Sequence, residues 1–311
     1  MKLIAAFFRL VRWNNLIFIV LTQVLFYFFI LLPGFSMRAS KPLNRISPFY
    51  FALLCLSSVL VAAAGYVIND YFDLNIDRVN KPEKLVVEKI IKRRWTIIWH
   101  WILSGLGVII GSVISLKTRN PIFVLSLIAC AILLWFYSTT FKRKLLVGNI
   151  IVSLLTAWVI MVLYFCEFRN SIFLNPEERL ILSRLFKFSV IYSGFAFIIS
   201  LVREVIKDIE DMEGDAAYNC HTMPIVWGVQ GAKIFAATWL IVLICSLVVI
   251  QFYVLQYRLL WAELYCGLLI VFPLLKVLRD LYNATTVRDY HRLSIFIKLV
   301  MVTGVLSMIF F

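Results

Sequence analysis

Nine long apolar runs, separated by short polar segments, dominate this chain of 311 residues. A helix of about 20 apolar residues is long enough to cross the hydrocarbon core of a bilayer. Hydrophobic residues make up 62% of the chain, whereas a soluble domain is about 45–50% apolar. We therefore predict an all-α, polytopic membrane protein with about nine transmembrane helices in one bundle around a central cavity. The predicted spans are residues 15–34, 48–69, 96–116, 121–138, 145–166, 186–203, 232–254, 259–278 and 293–311.

The segments between the spans are too short for a soluble domain, so residues 1–311 are predicted to form a single domain. Lys2, Arg9 and Arg12 precede the first run, as basic residues do in a signal peptide. No small-residue cleavage site follows, and the run is too long for the apolar part of a typical signal peptide. We expect a retained first helix.

The distribution of basic residues predicts the orientation in the membrane. If the N-terminus is cytoplasmic, the inner segments hold 19 of the 31 Lys and Arg residues and the outer segments hold 10. Basic residues accumulate in cytoplasmic loops, where anionic lipid attracts them. The bias predicts a multi-pass protein of the cell membrane with its N-terminus inside. It also accounts for the net charge of +14 without nucleic acid as a partner, and nothing indicates an obligate protein partner.

Two acidic motifs with the same spacing follow the second and sixth spans. Asp70, Asp73 and Asp77 form the first, and the second consists of Asp208, Asp211 and Asp215. Spacings of three and four residues gather side chains on one face of a helix, within about 60°. Because spans 2 and 6 run in the same direction, both motifs are predicted to emerge on the cytoplasmic side.

Converging carboxylates repel one another and therefore require a cation. Oxygen donors without nearby His or Cys favour Mg²⁺, which takes one or two carboxylates and completes its shell with water and substrate phosphate. The alternative is that each motif is a charged helix end with Arg78, Lys81 or Lys207 as its ion-pair partner. Two equal motifs on one side of the membrane favour a shared Mg²⁺ site.

The pattern Asn69-Asp70-x-x-Asp73-x-x-x-Asp77 resembles the first motif of the UbiA superfamily of intramembrane prenyltransferases. Asp208-x-x-Asp211-x-x-x-Asp215 resembles its second motif. The resemblance covers nearly the whole chain and implies Mg²⁺-dependent transfer of a prenyl group from an isoprenoid diphosphate to a lipophilic acceptor. The implied metal-binding residues are Asn69, Asp70, Asp73, Asp77, Asp208, Asp211 and Asp215.

Smaller matches extend the resemblance to other residues. Arg12 and Asn15 are similar to an Arg/Asn pair of the family. Tyr137 and Lys142 resemble the Tyr-x-x-x-Lys element of the family, although the spacing between the two residues is one residue longer in this chain.

Two roles are open for Tyr137: it faces the developing allylic cation, or it belongs to the belt of tyrosines at the membrane interface. Lys142, Arg143 and Arg203 are expected to donate charge-assisted hydrogen bonds to the diphosphate. The alternative for Lys142 to Lys144 is a basic anchor on the cytoplasmic side of the membrane. The predicted substrate-binding residues are Arg12, Asn15, Arg143, Arg203 and Lys207, and the predicted catalytic residues are Tyr137 and Lys142.

The segment 203–215 and the sequence Asn80-Lys81-Pro82-Glu83 resemble one branch of the superfamily, which transfers geranylgeranyl groups to geranylgeranylglyceryl phosphate. An aromatic acceptor, 4-hydroxybenzoate or a dihydroxynaphthoate, is the alternative within the superfamily. From another class, an ion-coupled transporter would place its acids mid-span and show inverted repeats. CDP-alcohol phosphotransferases carry Gly and Arg at fixed places of their Asp signature that this chain lacks.

Overall fold

The computed structural model describes residues 2–36, 46–80, 82–167, 176–256 and 260–310. Within these ranges the chain is helical apart from turns, short connections and one isolated bridge between Val87 and Ile91. The α-helices are α1 (Lys2–Leu10), α2 (Trp13–Leu25), α3 (Leu32–Ser36), α4 (Pro48–Asn80), α5 (Arg93–Thr118), α6 (Ile122–Thr139), α7 (Val147–Glu167), α8 (Pro176–Glu210), α9 (Met212–Ala217), α10 (Met223–Val226), α11 (Gly228–Leu255), α12 (Leu260–Cys266), α13 (Phe272–Asn283) and α14 (Val287–Leu306).

Nine helical segments of the described ranges are long and apolar enough to cross a membrane. Two of them contain a π-helical turn, Phe26–Leu31 between α2 and α3 and Gly267–Val271 between α12 and α13. The spans are Trp13–Phe35, Pro48–Asn80, Arg93–Thr118, Ile122–Thr139, Val147–Glu167, Pro176–Glu210, Gly228–Leu255, Leu260–Asn283 and Val287–Phe310. The prediction of an all-α, nine-span membrane protein is confirmed.

Two spans are much longer than their apolar runs predict. The second was expected to end at residue 69, but α4 continues to Asn80. The sixth was expected over residues 186–203, but α8 has 35 residues and ends at Glu210. Hydrophobicity marks only the part of a helix that lies in hydrocarbon, whereas hydrogen bonding continues the helix into the polar region. These two polar extensions carry most of the acidic residues of both motifs.

Helix α8 joins two parts of the apolar core. Leu182 and Leu185 pack in a cluster with residues of α2, α4 and α7, and Val202 and Ile206 pack in another with residues of α11, α13 and α14. Large apolar side chains are exposed on the outside of the bundle, for example Trp261 at 78% exposure. Lipid would cover such an apolar surface. The central position of α8 fixes the second acidic motif relative to the bundle.

Candidate active site

A cavity of about 1290 Å³ lies among α1, α2, α4, α6, α7, α8 and α14. Typical ligand pockets have about 300–1,000 Å³, so this cavity has room for more than one small ligand. Polar side chains of α4, α8 and α9 line one part. Apolar side chains line another, among them Phe123, Leu127, Trp158 and Phe195. The cavity is therefore amphipathic, as a lipid with a charged head would require.

The first acidic motif lies entirely within α4, and its residues line the cavity. The Nδ2 atom of Asn69 donates a hydrogen bond to Oδ2 of Asp73 at 2.6 Å. The Oδ1 atom of Asn69 is buried and has no hydrogen-bond partner among the described residues. Asp70 accepts a hydrogen bond from the Arg12 guanidinium at 2.8 Å. The motif therefore presents several oxygen atoms to the cavity, and one buried amide oxygen is unsatisfied.

Arg12 occupies the sharp junction between α1 and α2. Its backbone is left-handed, with φ 53° and ψ 55°, a conformation that is uncommon for residues other than glycine, asparagine and aspartate. Burial opposes the charge of its guanidinium, but the carboxylate of Asp70 outweighs burial and raises the pKa of Arg12 above its ordinary value. The turn thus holds a permanent cation against the first motif.

The second motif is not one uninterrupted helix, contrary to the expectation from its spacing. Asp208 lies in the last turn of α8, Asp211 lies at the break with φ −97° and ψ 7°, and Asp215 lies in α9. The backbone N–H of Asp215 still donates to the carbonyl of Asp211 at 3.2 Å, so the break is small. Asp208 accepts a hydrogen bond from Asn149 of α7 at 2.7 Å. All three carboxylates line the same cavity as the first motif.

Asn80, the last residue of α4, joins the two motifs. Its Nδ2 atom donates to the carbonyl of Asp211 at 2.9 Å, and its Oδ1 atom accepts from the backbone N–H of Gly214 at 2.8 Å. A Cβ atom on Gly214 would lie 2.5 Å from the Asn80 amide, so this contact requires glycine. The two hydrogen bonds satisfy backbone groups at the break after α8 and set the separation of the motifs.

Lys142 lies between the motifs, in the turn Phe141–Arg143 that follows α6. Its ammonium contacts the carboxylate of Asp73 and feels the negative charges of Asp77 and Asp215. Burial alone would lower the pKa of Lys142, but these carboxylates outweigh burial and raise it. A protein cation therefore supplies part of the positive charge that the converging carboxylates require.

The remaining predicted site residues divide between cavity and surface. Tyr137 lines the cavity, and its electrostatic neighbours include Asp73 and Asp208. Arg143 has an exposed side chain outside the cavity lining, so the structure does not bring it to the site. The predicted residues that line the cavity are Arg12, Asn15, Asn69, Asp70, Asp73, Asp77, Tyr137, Lys142, Arg203, Lys207, Asp208, Asp211 and Asp215.

A second group of polar residues lies where α8 faces α14. Arg203 and Lys207 both contact the carboxylate of Glu204, at 3.0 and 3.4 Å. Lys298 of α14 donates to Oδ1 of Asn15 at 2.6 Å. His291 contacts Glu210 at 2.9 Å. A single polar residue in an apolar run gives no sequence signal of its own, so Lys298 and Asn149 were missed. Asn80 was noted only as part of a family resemblance, and its contact with the second motif was not predicted.

The donor set fits Mg²⁺ bound together with a phosphorylated ligand. Within the described ranges, no three His, Cys, Asp or Glu side chains form a ready metal-binding group. Mg²⁺ does not need one, because it usually takes one or two carboxylates and fills its shell with water and phosphate oxygens. The unsatisfied Oδ1 atom of Asn69, beside Asp73, is a hard oxygen donor of the kind that Mg²⁺ prefers.

Comparison with known proteins gives the family. Residues 27–300 match the UbiA prenyltransferase family. The chain belongs to this family. Multi-pass membrane character follows from the family and from the nine apolar spans.

Two curated relatives of this UbiA chain carry the same name. Digeranylgeranylglyceryl phosphate synthase of Methanosarcina mazei is 30% identical over 249 residues, which is 78% of each chain. The enzyme of the same name from Methanosphaera stadtmanae is 33% identical over 177 residues, or 57% of each chain. The chain thus matches less than two thirds of the length of several such relatives.

Solved structures show the same fold. A digeranylgeranylglyceryl phosphate synthase structure aligns with a TM-score of 0.63 at 23% identity and covers 99% of both chains. A UbiA homologue of Archaeoglobus fulgidus, described as bound to GPP and Mg²⁺, aligns with a TM-score of 0.58 at 16% identity, covering 98% of this chain and 99% of the other. At these identities the likeness establishes the fold alone.

Proposed function

We propose that this chain transfers a geranylgeranyl group from its diphosphate to a hydroxyl group of a lipophilic acceptor, geranylgeranylglyceryl phosphate, in a Mg²⁺-dependent reaction. The observation that carries the proposal is the pairing of two acidic motifs, on α4 and on α8 and α9, at the polar part of one amphipathic cavity. The relatives named digeranylgeranylglyceryl phosphate synthase support the acceptor, and the homologue bound to GPP and Mg²⁺ supports the donor and the metal.

In the proposed reaction the bond between C1 of the prenyl group and the diphosphate oxygen breaks. A new ether bond forms between C1 and the acceptor oxygen, and the released diphosphate takes up the hydroxyl proton. Mg²⁺, when bound, neutralises the charge that develops on the leaving diphosphate. The residues proposed to hold it are Asn69, Asp70, Asp73, Asp77, Asp208, Asp211 and Asp215.

The chain's own side chains then bind and orient the two substrates. Lys142 and Arg12, which already contact motif carboxylates, are placed to donate charge-assisted hydrogen bonds to diphosphate oxygens. The face of Tyr137 is proposed to stabilise positive charge at C1. The apolar lining receives the prenyl chains and excludes water that would capture the cation. The whole chain acts as one unit in the cell membrane, with the motif end cytoplasmic.

The proposal is tested with purified protein, geranylgeranyl diphosphate and a panel of acceptors. We expect prenylation of geranylgeranylglyceryl phosphate, loss of turnover in EDTA and recovery with excess Mg²⁺. Turnover of 4-hydroxybenzoate or a dihydroxynaphthoate without turnover of the glyceryl phosphate would reject the acceptor. Full turnover in EDTA would reject the metal-dependent mechanism.

A further inference from the structure

Three cations, Arg203, Lys207 and Lys298, line the α8 and α14 side of the cavity. Arg203 and Lys207 share the carboxylate of Glu204. Lys298 contacts the neutral amide of Asn15, and no carboxylate of the described residues lies within 4.0 Å of its ammonium. All three cations line the cavity, and Lys298 is held by an amide rather than by a carboxylate.

The register of the two helices places Lys298 level with Arg203. His291 of α14 contacts Glu210 of α8. Seven residues further along α14 lies Lys298, and seven residues back along α8 lies Arg203. Both are about 10 Å from the His291 contact along antiparallel helices, because a helix rises about 1.5 Å per residue.

Such a cluster is costly unless an anion completes it. Like charges repel strongly where water is scarce, and a buried charge needs a partner of opposite sign. The guanidinium of Arg203 is itself incompletely satisfied, because its Nε atom is buried without a hydrogen-bond partner among the described residues. Ionisable side chains inside a transmembrane helix mark ligand or ion sites when they face a cavity, and Lys298 does so.

We propose that Lys298, together with Arg203 and Lys207, binds the phosphate of the acceptor substrate, a phosphomonoester of a glycerol ether. The inference rests on the proposed function and adds a second anion site to the diphosphate site at the acidic motifs. Arg203 lies about 7–8 Å before Asp208 along α8, and Lys207 lies between them, so the second site adjoins the diphosphate site. We expect the glycerol unit of the acceptor to extend from this phosphate site toward the acidic motifs, which would bring its hydroxyl group next to C1 of the donor.

The test compares Lys298→Gln with Lys298→Arg and with Lys276→Gln as a matched control. Lys276 is exposed on α13, 4.9 Å from the ring of Phe296, and does not line the cavity. In Lys298→Gln we expect the KM for geranylgeranylglyceryl phosphate to rise about tenfold or more, since a charged hydrogen bond is lost. The KM for geranylgeranyl diphosphate should stay within about twofold, because the motifs are intact. Lys298→Arg should restore most of the acceptor affinity, and Lys276→Gln should match the wild type.

An unchanged acceptor KM in folded Lys298→Gln, with the wild type active on the glyceryl phosphate, would overturn this inference and leave the proposed function standing. A wild type that prenylates only phenols would reject the proposed function itself. A rise in the KM of the diphosphate instead of the acceptor would assign Lys298 to the donor.

A second measurement needs no variant. The wild type should bind the monomethyl ester of the glyceryl phosphate more weakly than the phosphomonoester, because esterification removes one negative charge. Equal KM values for the two would also overturn the inference.

Discussion

The contact between Lys142 and Asp73 links the charge of the site to its stability. The raised pKa of Lys142 means that its ammonium is charged at neutral pH in the folded protein. The stabilisation from this shift is fully present below the pKa that Lys142 has in the unfolded chain. It is lost only as the pH rises through the higher pKa that Lys142 has in the folded protein.

Repulsion among the carboxylates alone predicts that removing one of them costs little stability. The Lys142 contact reverses that expectation, because removing Asp73 leaves a largely buried ammonium without its nearest partner.

At the residue scale we predict that Asp73→Asn lowers turnover by about 10²-fold or more, because the proposed metal site loses one negatively charged carboxylate. It should also destabilise the protein by on the order of 3 kcal/mol. Turnover and thermal unfolding in detergent measure the two effects separately. Glu88→Gln is the matched control, since Glu88 forms an exposed ion pair with Arg78 outside the cavity lining. A folded Asp73→Asn protein with near-native turnover would contradict the metal role.

A double variant tests whether the two motifs act as one unit. Asp73→Asn combined with Asp211→Asn should be no less active than the more damaged single variant, because groups that act together fail together. The measurement is turnover at saturating Mg²⁺ and substrates. Losses that multiply would instead indicate two independent sites.

At the scale of elements, the end of α4 and the short helix α9 form one unit through Asn80. The apolar runs predicted the spans because lipid exposure imposes a long apolar stretch on each helix. They did not predict the break at Asp211, because that break is stabilised by hydrogen bonds from Asn80, which lies 131 residues away in the chain. Lys298 and Asn149 were missed for the same reason: their roles depend on which helices meet, and a single sequence does not give helix pairing.

We predict that Gly214→Ala raises the Mg²⁺ concentration needed for half-maximal turnover. Alanine would favour the helix by up to about 1 kcal/mol, but its Cβ would push Asn80 away and separate the motifs. Gly194→Ala in α8 is the matched control, because a Cβ there meets nothing within 4 Å. If both variants require the same Mg²⁺ concentration as the wild type, Asn80 does not set the metal site.

Considered as a whole molecule, the described part of the bundle brings the proposed site residues together at one end. Both motifs, the turn that holds Lys142 and the end of α4 meet there, and the connection that leads to α5 begins there. The excess of basic residues in the segments on this side predicts that it faces the cytoplasm. Both substrates would then be taken from the inner leaflet.

Labelling of single cysteines tests the orientation in a variant that lacks the six native cysteines. Ile90→Cys, at an exposed position between α4 and α5, should be protected from a membrane-impermeant thiol reagent in intact cells and labelled after permeabilisation. Lys117→Cys, exposed in the last turn of α5 at its opposite end, should be labelled without permeabilisation. The reverse pattern would invert the proposed topology.

The left-handed backbone of Arg12 has a consequence for protein engineering. At φ 53° a glycine or asparagine is the residue that a stabilisation protocol would select, because it relieves strain of about 1 kcal/mol. That choice would delete the guanidinium that contacts Asp70. A design rule based on backbone strain alone would therefore select Arg12→Gly. That variant would leave the Asp70 carboxylate without its ion-pair partner, which offsets the strain relief, and it would lose the donor binding that we propose for this turn. Screens for more thermostable variants of this enzyme should keep Arg12 unchanged and vary residues on the lipid-facing surface instead.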